Sequence, residues 1–118
     1  MTYLSMTRGD TQTFTLTLVD GSGDPLDLTD VALTFTAKRR YSDSDDDAVI
    51  RKTVDDGIVV DEDPTTGLAT VTIDPPDTSS LTARSLVWDI QVDDGDVRTP
   101  LSGRLAIQPD VTRTVEGS

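Results

Sequence analysis

The feature that most constrains this chain is a two-residue alternation of apolar and polar side chains that recurs along most of its length. In "TQTFTLTLVD", Phe14, Leu16 and Leu18 fall on one side and Thr13, Thr15 and Thr17 on the other. Successive side chains of an extended strand point to opposite faces, so this spacing predicts a strand with one buried and one wet face. "VALTFTAKRRY" repeats it, with Val31, Leu33, Phe35 and Ala37 inward and Thr34 and Thr36 outward. "LATVTID" does so with Ala69, Val71 and Ile73, and "SLVWDIQVDD" with Leu86, Trp88, Ile90 and Val92. Shorter strands are expected at "AVIRKTV" and "GIVVDED", and a last long one through Leu105 and Ile107, where Pro100 and Gly103 suggest a bend or an edge position.

Turn residues separate these runs. "GSGDP" follows the first strand, "PTTG" closes the run "GIVVDED", Pro75 and Pro76 stop "LATVTID", and "DDGD" leads into the last strand. In "DTSSL", Asp77 is the expected N-cap of a single helical turn ending near Leu81. About seven short strands without a long helix, each with one face to hide, predict an all-β, immunoglobulin-like β-sandwich of antiparallel strands. A barrel is the alternative. At 118 residues the chain fits a single domain, expected over residues 1–110, with 111–118 as a C-terminal tail.

Composition restricts the chemistry. The chain has neither cysteine nor histidine. Disulfides, thiolate metal sites, Ser-His and Cys-His nucleophiles and the commonest zinc ligand are therefore excluded. No cofactor and no catalytic residue is expected. "MTYLSMTRGD" lacks a basic segment followed by an apolar run, and nothing approaches the roughly 18 apolar residues needed to span a bilayer, so a protein made in the cytoplasm and not exported by a signal peptide is expected.

Net charge is −12, from 20 Asp and 2 Glu against 8 Arg and 2 Lys. Such a chain repels phosphate backbones and anionic lipids, so neither nucleic acid nor membrane is an expected partner. Aspartate disfavours strands and favours turns, which places most of these residues at loop tips. Abundant Asp with scarce Lys also predicts adaptation to high salt, where self-repulsion is screened. An acidic domain in ordinary salt is the alternative.

Several short stretches invite specific readings. In "YSDSDDDAVIRK", Asp43, Asp45 and Asp47 have the spacing of the first half of a calcium loop. Counting from Asp43, however, position 6 is Ala48 where glycine is needed, and position 12 is Val54 where a bidentate glutamate is needed. A solvated hairpin tip is the expectation for Asp43–Asp47, with a loosely held cation as the alternative and no metal site assigned. "RGD", Arg8–Asp10, is read as the entry to the first strand, with Arg8 orienting the N-terminal segment against a carboxylate. Trp88 is in phase with core residues, and Asp93 and Asp94 sit in a turn. Lys38, Arg39 and Arg40 are the one concentrated positive charge. Either they pair with Asp45–Asp47 across the hairpin, or they form a contact for an acidic partner.

"RGDTQTFTLTLVDGSGDPLDLTDVALTFTAKRR", with the later "GLATVTI", "DTSSL", "LVWDIQV" and "SGRLAIQPDVTR", resembles the small immunoglobulin-like virion proteins of tailed viruses. It is similar to the N-terminal domain of phage baseplate upper proteins over residues 7–113. The matching motifs are structural, and none is catalytic. The resemblance implies a non-enzymatic module docked on the tail or baseplate, in multiple copies per virion, through contacts with other virion proteins. Capsid decoration and host-surface adhesion through glycans are alternatives. The aspartate excess departs from ordinary phage examples and points to a halophilic host.

Screening by salt should stabilise a chain of this charge. The melting temperature, followed by calorimetry, should rise as KCl goes from dilute to about 1 M, where the Debye length is about 3 Å. A melting temperature unchanged or lowered by KCl contradicts salt adaptation.

Overall fold

The structure is a computed structural model and describes residues 2–40, 42–44, 48–79, 81 and 84–109. Eight strands occur in the order β1 (Thr2–Thr7), β2 (Gln12–Thr17), β3 (Ala32–Lys38), β4 (Ile50–Val54), β5 (Gly57–Val60), β6 (Leu68–Ile73), β7 (Arg84–Asp93) and β8 (Val97–Gln108), with one helical turn, α1 (Pro75–Thr78), between β6 and β7. They form one hydrogen-bonded sheet in the order β1-β8-β7-β3-β4-β5-β6-β2. The sheet folds over at β4–β5, so that β1-β8-β7-β3-β4 and β5-β6-β2 face each other across a shared core, in a near-barrel open between β1 and β2.

The expected all-β, immunoglobulin-like sandwich is therefore the fold observed, with two differences. β1 adds an eighth strand, and two pairings, β1 with β8 and β4 with β5, are parallel. The strands on either side of the acidic loop do form an antiparallel hairpin, with Ala37 opposite Ile50. Pro100 lies where β8 runs beyond β1 and beside a register shift opposite Ile90 and Val92, so it needs no ladder N–H. Gly103 has a different role. It sits mid-strand between Thr2 and Trp88, and a Cβ there would lie 1.7 Å from the Thr2 carbonyl oxygen. Only glycine lets β1 approach this closely.

The inward residues are those the alternation selects. Leu16, Leu18, Leu33, Phe35, Ala37, Ile58, Ala69, Val71, Ile73, Leu86, Trp88, Ile90, Val92, Leu105 and Ile107 are buried in a single cluster. Complete burial of an apolar side chain of this size contributes about 1.5–3 kcal/mol. Trp88 stacks on Phe35 with ring centroids 5.4 Å apart, which makes it a core residue. Its indole N–H has no acceptor among the described residues. That costs about 1–3 kcal/mol, which burial of the large ring offsets. "LDLT" is not a strand. It crosses the end of the core with Leu26 and Leu28 buried, held by Leu26 N–H to the Leu18 carbonyl (2.9 Å) and Leu28 N–H to the Pro64 carbonyl (2.9 Å).

The aspartates build the turns as well as solvating them. Asp20 accepts from the N–H groups of Ser22 (2.8 Å) and Asp24 (3.0 Å), and Asp63 from the Thr65 N–H (3.1 Å). Asp93 and Asp94 cap the last hairpin in the same way, accepting from Gly95 and Asp96. Asp27 accepts from the Thr29 hydroxyl (2.6 Å) and N–H (3.0 Å), and these bonds, the hydroxyl foremost, hold its carboxyl below the ordinary aspartate value. Local side-chain bonds thus hold these loops, alongside the buried Leu26 and Leu28 in the longest of them.

One charged cluster closes the end of the core where the chain passes between the two halves of the sheet. Lys52 lies on the inward side of β4, in phase with Ile50, and is only 8% exposed. Its ammonium is 2.8 Å from the Asp77 carboxylate and 3.8 Å from Asp74. Gly57, with φ of 101°, makes room for the lysine stem, since a Cβ there would lie 2.5 Å from Lys52 Cδ. The N-cap of α1 is Asp74 and not Asp77. Asp77 stands three residues on and accepts the Asp74 N–H at 2.8 Å, leaving its carboxylate turned toward Lys52. Two prolines at the helix start fix that geometry. The "RGD" segment docks on the same element: Arg8 donates to the Leu81 carbonyl (2.8 Å) and the Gly9 N–H donates to the buried Thr78 hydroxyl (2.8 Å). Arg8 thus orients the N-terminal segment as expected, and the acceptor described is a carbonyl.

Lys52→Ala removes both the packed stem and the ion pair, and should lower stability by about 2–4 kcal/mol in denaturant unfolding. Lys52→Met, which keeps the stem, should lose distinctly less. Equal losses would assign the whole effect to the charge.

Candidate functional site

The strands that bury Leu33, Phe35, Leu86, Trp88, Ile90 and Leu105 inward present their alternate residues to solvent. On β3 these are Thr34, Thr36 and Lys38, on β7 Val87, Asp89 and Gln91, on β4 Arg51, and on β8 Ser102 and Arg104. Twist and long flanking side chains turn this part of the sheet into a shallow polar depression of about 390 Å³, with Thr36, Lys38, Arg51, Asp89 and Gln91 among its walls. Val87 lies on this outward face and is nevertheless only 6% exposed. Its cross-strand neighbours are Lys38 and Arg104, whose aliphatic stems suit such cover.

Of the basic segment, Lys38 is the last residue of β3, and its ammonium donates to the Asp43 carbonyl at 3.0 Å. Arg39 and Arg40 follow and are exposed. Pairing of these residues with Asp45, Asp46 or Asp47 concerns positions outside the described residues, as does the cation reading for Asp45 and Asp47. Asp43 is described, and its N–H donates to the Arg40 carbonyl (3.1 Å), closing the start of the loop.

Sequence reasoning missed Arg51 and Arg104. Both project from the same face as Lys38, and neither has an ion-pair or hydrogen-bond partner among the described residues. The signal for Arg51 was available in the hairpin register. Pairing the two arms places Arg51 opposite Thr36, hence on the outward face, and Lys52 opposite Phe35, hence inward. Arg104 is outward by the same parity, opposite Val87 across the β7–β8 hairpin, but its place beside Lys38 depends on the pairing of β7 with β3, and its other neighbour, Tyr3, is about a hundred residues away.

The remaining candidates resolve as structural parts. Asp93 and Asp94 are turn caps, and Asp94 also pairs with Arg98. Among the described residues no group of three or more His, Cys, Asp or Glu side chains is placed to hold a metal ion, and no helix is long and apolar enough to cross a membrane. Tyr3, 73% exposed on β1, is the described aromatic most open to solvent.

No protein-family model and no curated protein matches the chain. Among solved structures it is similar to a candidate glycoside hydrolase from Bacteroides vulgatus, with 14% identity and a TM-score of 0.48 over 91% of this chain and 16% of that one. The chain spans under a fifth of that protein's length, and no activity carries over from a likeness of this kind.

Proposed function

We propose that this domain is a non-enzymatic structural component of a tailed-virus particle from a salt-adapted host, held on the tail, baseplate or capsid by protein–protein contacts and present in several copies. The observation that carries the reading is the outward face of β4-β3-β7-β8, where Lys38, Arg51 and Arg104 converge on a chain of net charge −12. Arg51 and Arg104 are exposed and Lys38 is half-buried, and exposed cations on an acidic protein are worth little to its own stability, about 0–1 kcal/mol per pair and less in salt. They gain value against a complementary surface. The resemblance of the strand and turn motifs to virion modules supports the same assignment. Adhesion through glycans has less behind it, because Trp88 and Phe35, the large rings such a platform would use, are consumed by the core.

Two measurements bear on this reading. In a density map of the intact particle the subunit should occupy a fixed, symmetric position, three- or sixfold around one axis for a tail location or spread over the shell for a capsid one. Absence from purified particles overturns the reading. Replacing Lys38, Arg39 and Arg40 together by serine should weaken incorporation into the particle while lowering stability by no more than about 1 kcal/mol. The opposite ranking returns these residues to a purely local role.

A further inference from the structure

Charge is distributed unevenly over the exterior. The carboxylates sit at the turns. The outward side of β2 and β6 is uncharged and hydroxyl-rich, with Thr13 and Thr72 in mutual contact at 3.3 Å. The outward side of β8-β7-β3-β4 is different. One row across the strands reads Tyr3, Arg104, Val87, Lys38, and the next reads Ser102, Asp89, Thr36, Arg51. Three cations thus surround a floor of hydroxyls with one carboxylate, Asp89, in the middle.

We infer that this face is the docking surface for an extended, carboxylate-rich segment of a neighbouring protein, laid across the strands. The inference rests on the reading of the domain as a docked module and names the chemistry that holds it. The cations are too far apart for one small anion. Arg104 and Arg51 are three strand spacings and one row apart, about 16 Å along the diagonal, whereas alternate side chains of an extended peptide project to one side about 7 Å apart. Carboxylates at positions i and i+4, about 13 Å apart, therefore lie within reach of the long Arg104 and Arg51 side chains, and the residue at i+2 falls among Val87, Lys38, Thr36 and Asp89. Lys38 and Asp89, of opposite charge, both border that midpoint, so the two ends of the segment carry the recognition. The recognised pattern is acid–x–x–x–acid. Tyr3, open to solvent beside Arg104, extends the surface at the β1 edge.

The test is a titration of the isotope-labelled protein, followed by backbone amide shifts in dilute KCl. The probe is a capped peptide repeating Asp-Ser-Asn-Ser. Shifts should concentrate at Thr36, Arg51, Val87, Asp89 and Arg104. The variant R51S/R104S should bind roughly tenfold more weakly, and T15E/T17E, with the same change in net charge on the opposite face, should stay within about twofold of the wild type. Matched melting temperatures show that both variants are folded. Equal loss in the two variants, shifts confined to other faces, or no binding by the wild type overturns the inference. So does tighter binding of polygalacturonate at the same residues, which would make the ligand an acidic glycan. Because the titration uses the isolated domain, its failure is separable from absence of the subunit from the particle.

Discussion

Everything in this structure depends on hiding one side of every strand. With no disulfide available, the chain must remove the apolar side of each alternating segment from water, and a flat sheet of eight strands would leave that side exposed. The sheet instead folds back on itself. The fold line is the short passage from β4 to β5, where Asp55 takes a left-handed conformation, Asp55 N–H bonds the Ile58 carbonyl (3.0 Å), and Thr53 and Asp56 exchange backbone bonds. Lys52 and Gly57 flank that corner, and the lysine reaches across the open end to Asp77. A lysine is suited to this position because its stem packs as an aliphatic chain while its charge meets the carboxylate at the rim. The segment "DPPDT" then joins three parts of the molecule: the Lys52 corner, the β6–β7 connection and the docked Arg8–Gly9 turn.

The acidity of the chain acquires a structural meaning from the loops. Aspartate side chains replace missing backbone partners at successive turns, so the turns are specified locally even where a connection also buries residues such as Leu26 and Leu28. That leaves the strand faces free to differ. One outward face carries hydroxyls, the other gathers cations, and the carboxylates crowd the rims between them. A domain arranged in this way presents cations on one side, and its carboxylate-lined rims repel other acidic surfaces.

Much of the architecture was legible in the chain because period-2 patterning determines which face of a strand is buried whatever its neighbours. Phe35, Val71, Trp88 and Leu105 could be placed inward before any pairing was known. What escaped was whatever depends on partners distant in sequence. β1 has a readable parity, Leu4 and Met6 against Tyr3 and Ser5, but it is short and weakly apolar, and it becomes a strand by lying parallel to β8, over a hundred residues away. The parallel contact of β4 and β5 is a corner, although Asp56-Gly57 between them is a dipeptide typical of hairpin turns. Asp77 was recognised as a helix-start residue, yet the pair of prolines moved the cap to Asp74. For the candidate site, Lys38 to Arg40 stood out as a run, whereas Arg51 and Arg104 are isolated in sequence and meet Lys38 only through register.

The central claim is that both halves of the folded sheet share one core and therefore one unfolding transition. Native-state amide hydrogen exchange tests it most directly. If the account is right, the slowest amides of β6, such as Val71, exchange with the same opening free energy as those of β3 and β7, such as Phe35 and Ile90, and all respond alike to denaturant. If the β5-β6-β2 half opens at a clearly lower free energy while β3-β7-β8 stays protected, the two halves are separate units and the account is contradicted.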